Sequence, residues 1–92
     1  MKSPTHQSRE AAELLAVQAL GFIAEDPARL AGFLNATGLE AAAVRQAARQ
    51  PGFLVGVLEH MLADESLLIA FADSAGIDPA AIARARAALG AT

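Results

Sequence analysis

Two glycine corners of the same design, at Gly38 and Gly76, constrain this chain more than any other feature. A helix often ends on a residue in the left-handed conformation, which glycine adopts without the steric cost of a Cβ atom. Each glycine is followed by an aliphatic residue, which can fold back onto the helix just ended, and then by an acid. The corners therefore predict two junctions at which one helix ends and another begins.

Acidic residues stand where the helices after these breaks should begin. Asp26, Asp64 and Asp78 are N-cap candidates, because a carboxylate accepts hydrogen bonds from the free N–H groups of a first turn. Pro79 suits a first helical position, where a backbone N–H would have no intrahelical partner. At the first corner, the residue that caps the start of the following helix remains open. Glu40 is a weaker cap, and a threonine three residues before it completes the spacing of a capping box.

Apolar residues recur at helical spacing between these signals, which predicts an all-α chain. Alanine supplies much of the 54% hydrophobic content and favours helix, while β-branched and aromatic residues are sparse. We expect a compact orthogonal bundle of about six short helices, with breaks near 25–26, 38–39, 50–52, 64 and 76–78. The first helix should span about 9–24 with Ser8 as its N-cap, the third about 40–49 and the sixth about 79–89.

The 92 residues fit one domain, expected at 8–92 after a polar, disordered leader at 1–7. The halves 9–49 and 51–89 align at an offset of 38 residues, which pairs Phe33 with Phe71. Because the matches fall on caps, corners and core positions, we hypothesise an internal duplication of a three-helix unit. The alternative is that two alanine-rich hairpins align by chance.

Composition excludes several classes of function. The formal net charge of −3 and a pI near 5.2 argue against a nucleic-acid or anionic-membrane partner. The lack of cysteine excludes disulfides and thiolate chemistry. No uncharged apolar run approaches the roughly 20 residues that span a bilayer, and the N-terminus lacks a signal-peptide core. We therefore expect a cytoplasmic protein without a membrane partner.

The titratable residues show no catalytic pattern. The acids fall at predicted helix starts or on polar faces, where capping is their ordinary role. His60 and Asp64, four residues apart, could share a metal ion, but two ligands do not make a site. We expect an exposed, unliganded His60, no cofactor, no metal and no enzymatic activity.

DNA binding is the alternative function. Ala72, Gly76 and Ile82 have the spacing of a helix-turn-helix, with a small residue, a turn glycine and a buried aliphatic residue. The second helix of this motif would begin with Asp78, Pro79 and two alanines, which offer no base-reading groups. Its two cations, Arg84 and Arg86, point about 200° apart. The chemistry therefore disfavours DNA as a partner.

The favoured function is a protein-interaction or structural module without catalytic activity. Apolar residues in the region 51–75 exceed what one core-facing stripe uses. We predict an interaction surface at Val55, Leu67 and Ile69, for an unknown protein partner or for a second copy in a homodimer. The alternative is that the domain surrounds its central hairpin on both sides and buries them.

Three stretches, 15–24, 33–39 and 63–68, resemble a family of short alphaproteobacterial proteins of unknown function. The resemblance covers about residues 9–90. It implies a cytoplasmic helical protein and supplies no activity, substrate or catalytic residue. It also implies a gene neighbourhood with a response regulator of cell-cycle signalling, which makes that regulator a candidate partner. No residue pattern in this chain indicates the link.

Overall fold

The computed structural model describes residues 4–90, and it describes side chains from Arg9 onward except at position 51. The described residues form six α-helices and one 3₁₀ helix and contain no β-strand. The elements are α1 (Pro4–Ala24), α2 (Pro27–Thr37), the 3₁₀ helix (Ala41–Ala43), α3 (Val44–Ala47), α4 (Pro51–Ala63), α5 (Glu65–Ala75) and α6 (Ala80–Gly90). The predicted all-α class and helix number are confirmed.

The two glycine corners have the predicted backbone conformation. Gly38 has φ 73° and Gly76 has φ 69°, and no other residue described has a positive φ. The Gly38 N–H donates to the Leu34 carbonyl at 2.8 Å, which closes α2. The Ile77 N–H donates to the Ala72 carbonyl at 2.9 Å, which closes α5. Both helices therefore end through left-handed glycines, as the sequence predicts.

The acidic caps also act as predicted. The Asp26 carboxylate accepts from the Ala28 N–H at 2.9 Å, and Asp64 accepts from the Leu67 N–H at 3.2 Å. Asp78 accepts from the Ala80 N–H at 2.9 Å, although α6 begins at Ala80 and Pro79 lies in the preceding turn. Each carboxylate satisfies an N–H that the helix leaves without an intrahelical acceptor.

The start of the first helix differs from the prediction. Helix α1 begins at Pro4 rather than Arg9, so Ser8 lies within the helix and is not its N-cap. Proline is favourable at a first helical position, which explains the earlier start. Residues 4–7 of the predicted leader are therefore helical, and its first three residues lie outside the described ones.

The third predicted helix, 40–49, is shorter than expected. A 3₁₀ helix and the four-residue α3 occupy this segment, and neither contains a buried side chain. The Thr37 hydroxyl donates to the Phe33 carbonyl at 2.9 Å and accepts from the Leu39 N–H at 3.3 Å. Leu39 precedes the 3₁₀ helix, so Thr37 closes α2 and the corner and caps no N–H of the next element. Glu40 precedes the 3₁₀ helix without a side-chain hydrogen bond to it. Without a side-chain cap or a buried apolar face, little stabilises a longer helix here.

Helices α1, α4 and α6 pack against one another at the centre of the bundle, with α2 against α1 and α5 against α4. The corner at Gly76 sets α5 and α6 at 100°, which gives the predicted orthogonal arrangement. The Cα radius of gyration is 12.8 Å, close to the roughly 12 Å of a compact domain of this length. The largest fully buried side chains are Phe33, Ile23, Leu58, Met61, Ile82 and Val57.

The two halves of the chain agree in the helix before each glycine corner and differ in the element after it. Phe33 and Phe71 are both buried, and the matching acids both cap their helices. The third elements differ, because α6 packs against α1 and α4 whereas the 3₁₀ helix and α3 have no buried residue. The internal duplication stays a prediction.

None of the described helices is by itself long and apolar enough to cross a bilayer. Only α5 and α6 taken together reach the required length and composition, and the chain bends by 100° between them.

Candidate interaction surface

The three predicted surface residues do not form one surface. Leu67 is only 7% exposed, because its side chain enters the core at the capped start of α5. Val55 is half-buried against the core, since α4 has neighbours in α1, α5 and α6. Ile69 is 51% exposed. The structure therefore corrects the inclusion of Leu67 and leaves Ile69 as the one member in the exposed class.

Ile69 also faces away from α1. Residues two apart on a helix point about 200° apart, so Ile69 and Phe71 lie on nearly opposite sides of α5. The Phe71 ring packs on the Phe22 ring of α1, with a centroid distance of 5.4 Å. Ile69 consequently stands alone on the far side of α5, as isolated surface aliphatic residues often do.

A pair of exposed apolar side chains on α1 was not predicted. Leu14 is 60% exposed and Val17 is 47% exposed. They lie one turn apart, and the next turns add Gly21 and Ala24, which are also exposed. We call these four residues, with the exposed Gln18 and the exposed Glu25 directly after the helix, the outer face of α1. Apart from the adjacent residues and the backbone of α1 itself, no described heavy atom lies within 4 Å of the place a Cβ would take at Gly21, so the helix surface is open there.

The inner side of α1 explains why these residues remain exposed. It buries five residues at helical spacing: Ala12, Ala16, Ala19, Leu20 and Ile23. Leu14 lies about 160° around the helix from Ala12 and cannot reach the same core. The sequence signal was present, since consecutive leucines at 14 and 15 cannot both face the core squarely. Which of the two leucines remains outside depends on where the neighbouring helices lie.

The charged residues on and beside the outer face of α1 are mostly acidic. Glu25 is exposed at the end of the outer face, and the half-buried Glu13 lies at its edge. Glu10 is exposed on the same side and takes part in an interaction of its own. Arg9, the cation described on α1, lies about 140° around the helix from Leu14. The apolar pair is thus accompanied by acids.

A groove with a volume of about 370 Å³ lies between α2, α4 and α5. Its lining contains Ala28, Arg29, Gly32, His60, Asp64, Ser66 and Leu67. The charged groups are already engaged. Arg29 lies 4.4 Å above the Phe22 ring and 3.9 Å from the Asp26 carboxylate, and Asp64 caps α5.

His60 is half-buried in this groove, which corrects the prediction of an exposed side chain. Its ring meets the Phe33 ring edge to face at a centroid distance of 5.1 Å. The contact is tertiary, because Phe33 belongs to α2 and His60 to α4. Among the described residues, no three His, Cys, Asp or Glu side chains come together as metal ligands would.

The α5–α6 corner has the geometry of a helix-turn-helix without its chemistry. Ala72 and Ile82 are buried on either side of the left-handed Gly76, and the 100° angle is typical of the motif. The residues of α6 that remain exposed are Ala80, Ala83, Arg84, Ala87 and Gly90. Arg86 donates to the Glu59 carboxylate at 2.6 Å. A single exposed cation among alanines offers little to phosphates or bases.

Comparison with known proteins places the chain in a family without assigning a function. No curated protein and no solved structure matches it. One family model, described as a protein of unknown function, matches residues 9–92, which is nearly the whole chain. The chain therefore belongs to the DUF3572 family of proteins of unknown function.

Proposed function

We propose that this chain is a protein-interaction domain and that the outer face of α1 is its binding surface. One observation carries the proposal: Leu14 and Val17 are neighbours one turn apart and remain 60% and 47% exposed. Fully burying an aliphatic side chain contributes roughly 1.5–3 kcal/mol, so two side chains could anchor a modest interface. A solitary exposed residue such as Ile69 needs no such explanation.

We further propose that the domain has no catalytic activity. No polar or charged residue among those described is buried, whereas acid–base catalysis usually depends on groups whose surroundings alter their protonation. The acids Asp26, Asp64 and Asp78 accept hydrogen bonds from helix N–H groups, which gives them a structural role.

The cellular setting of this proposal rests on the sequence. The lack of a signal-peptide core and of a bilayer-spanning apolar run, together with the family resemblance, favours a cytoplasmic bacterial protein. The response regulator suggested by that resemblance is the first partner to test, and it connects the domain with signalling.

The test compares a double variant with a control. Leu14→Gln with Val17→Gln leaves the charge unchanged and keeps good helix formers on α1. Ile69→Gln makes the same chemical change at an exposed site on α5. Each purified chain is mixed with a purified response regulator, the class of partner that the family resemblance implies, and binding is measured by calorimetry. Each purified chain is also used as bait to capture binding proteins from the native cytoplasmic extract.

We expect wild type and Ile69→Gln to bind the same partner and the double variant to lose it. Circular dichroism should show the same helix content in all three, because the changed side chains are exposed. Equal binding by the double variant would remove α1 from consideration as the surface.

DNA binding is the second candidate function, and the 100° corner between α5 and α6 is the observation that favours it. Arg84 is the residue that would contact a phosphate, because it is the exposed cation on α6. The net charge of −3 and the alanines around Arg84 weigh against this candidate.

A further inference from the structure

We infer that the partner of the outer face of α1 presents an apolar stripe flanked by lysine or arginine, and is not a second copy of this chain. The inference rests on the proposed function, because it names the chemistry of the partner for that same surface. Three observations support it: the charges along α1, the position of the other cations, and the open space at Gly21.

The charges along α1 favour a basic partner. Glu25 is exposed at one end of the outer face and Glu13 lies at its edge, so a docked segment would meet carboxylates around the apolar pair. Arg9 is half-buried, lies about 140° around the helix from Leu14, and stands one turn before Glu13. Complementary charge at the rim of an interface accelerates association and fixes the register of the partner.

The nearby cation on α2 does not offset these carboxylates. The Arg29 guanidinium stacks on the Phe22 ring at 4.4 Å and lies 3.9 Å from the Asp26 carboxylate. Exposed arginines elsewhere belong to other parts of the chain: Arg45 to α3, Arg49 to the turn after it, and Arg84 to α6. A partner therefore has to bring the positive charge itself.

The same distribution of charges disfavours a second copy of this chain as the partner. An antiparallel contact between two α1 helices centred between Val17 and Gly21 would place Glu13 opposite Glu25 of the other copy. A parallel contact would place each glutamate beside its own equivalent. Both arrangements juxtapose like charges around a small apolar centre, which disfavours self-association in these two arrangements.

The shape of the face fits a helix. Leu14 and Val17 project one turn apart, and Gly21 leaves the next turn without a side chain and without an atom of another element within 4 Å of a Cβ position. An apolar side chain of the partner can therefore pack beside Val17 and over Gly21. Amphipathic helices present such anchors at every third or fourth residue.

The test uses two synthetic peptides as probes. Both are helical, about 18 residues long, and share one leucine stripe; one has lysines beside the stripe and the other has glutamates. Fluorescence anisotropy measures their binding to the full chain at low and at high salt. The variants are Leu14→Gln with Val17→Gln, Glu13→Gln with Glu25→Gln, and Ile69→Gln as the matched control. Sedimentation of the wild-type chain reports self-association.

We expect the lysine peptide to bind at least about tenfold more tightly than the glutamate peptide, with a smaller difference at high salt because ions screen exposed charges. Glu13→Gln with Glu25→Gln should remove most of that preference. Leu14→Gln with Val17→Gln should abolish binding, and Ile69→Gln should not.

The other outcomes overturn the inference in distinguishable ways. Equal binding of both peptides through Leu14 and Val17 would refute the basic partner and keep the surface. Self-association that Leu14→Gln with Val17→Gln abolishes would make a second copy the occupant. Lysine-peptide binding that ignores these two residues would refute both the inference and the proposed surface. Binding of neither peptide would refute the inference. The capture experiment would then test the proposed function independently.

Discussion

The rings of Phe22 and Phe71 pack together with a centroid distance of 5.4 Å and an interplanar angle of 55°. The contact joins α1 to α5, and the Arg29 guanidinium lies over the Phe22 ring at 4.4 Å, which adds α2. Aromatic pairs in tilted geometry contribute beyond the area they bury. This contact also fixes which side of α5 is covered, and so leaves Ile69 exposed.

The first prediction concerns this aromatic pair. Phe71→Ala should lower the free energy of unfolding by about 3–5 kcal/mol, because it leaves a cavity where a buried ring packed. Urea denaturation followed by circular dichroism measures the change. A double-mutant cycle with Phe22→Leu should give a coupling of about 0.5–1.5 kcal/mol. Strict additivity of the two changes would mean that the rings do not stabilise each other.

The second prediction concerns the left-handed corners. Gly76→Ala and Gly38→Ala should each destabilise the fold by about 1–2 kcal/mol, because an L-residue is strained at their positive φ. Gly21→Ala is the matched control in a helical conformation, with open space at the Cβ position, and should stabilise by about 0.5–1 kcal/mol. Thermal unfolding of the three variants tests the difference in sign. A Gly21→Ala variant as unstable as Gly76→Ala would contradict the explanation.

The corners could be predicted because their causes are local. Asp64 caps α5 through an N–H three residues away, and Gly76 ends α5 through its own backbone. The surface could not be predicted in the same way. Whether Leu67 or Ile69 faces solvent depends on where α4 and α1 lie, and the Phe22–Phe71 contact joins residues far apart in the sequence.

His60 illustrates the same limit. Its sequence neighbours on α4 suggest a position beside the apolar stripe, and the helical period alone predicts exposure. The ring is half-buried because Phe33 approaches it from α2. On α1 the ambiguity lay between the adjacent leucines 14 and 15. Periodicity cannot resolve such a choice until the neighbouring helices are placed.

The third prediction separates Val55 from Ile69, which the sequence grouped together. Val55→Glu should lower the melting temperature, because a carboxylate would replace a half-buried aliphatic side chain in contact with the core. We expect a loss of about 1–3 kcal/mol in the free energy of unfolding. Each kcal/mol lost should lower the melting temperature by roughly 4–8 °C. Ile69→Glu should change stability by no more than about 0.5 kcal/mol, since Ile69 is 51% exposed. Equal effects at both sites would mean that one of these burial assignments is mistaken.

The fourth prediction concerns local opening. Amide hydrogens in the 3₁₀ helix and α3 should exchange with solvent faster than those of α4 and α6, because Ala41–Ala43 and Val44–Ala47 contain no buried side chain. Residues such as Leu58 and Ile82 are fully buried, and their amides should exchange only on global unfolding. Hydrogen exchange followed by NMR resolves both groups. Protection of α3 equal to that of α4 would show that the segment opens only with the rest of the fold.

The last prediction concerns DNA. Despite the 100° corner, we expect no submicromolar binding of mixed genomic fragments, even at the low salt that favours non-specific phosphate contacts. The reason is the composition of α6, where Arg84 is exposed among alanines and Arg86 is paired with Glu59 at 2.6 Å. Anisotropy with labelled duplexes, compared between wild type and Arg84→Ala, is the measurement.

Glu59→Gln is the informative control for this experiment. It releases Arg86 from an exposed ion pair and raises the net charge by one, while Arg86 stays on the same helix. If phosphates bind weakly through α6, this variant should bind somewhat better than wild type and should lose that gain at higher salt. Tight wild-type binding abolished by Arg84→Ala would instead favour the helix-turn-helix function over the interaction domain, because the corner would then have both the geometry and the chemistry of a DNA reader.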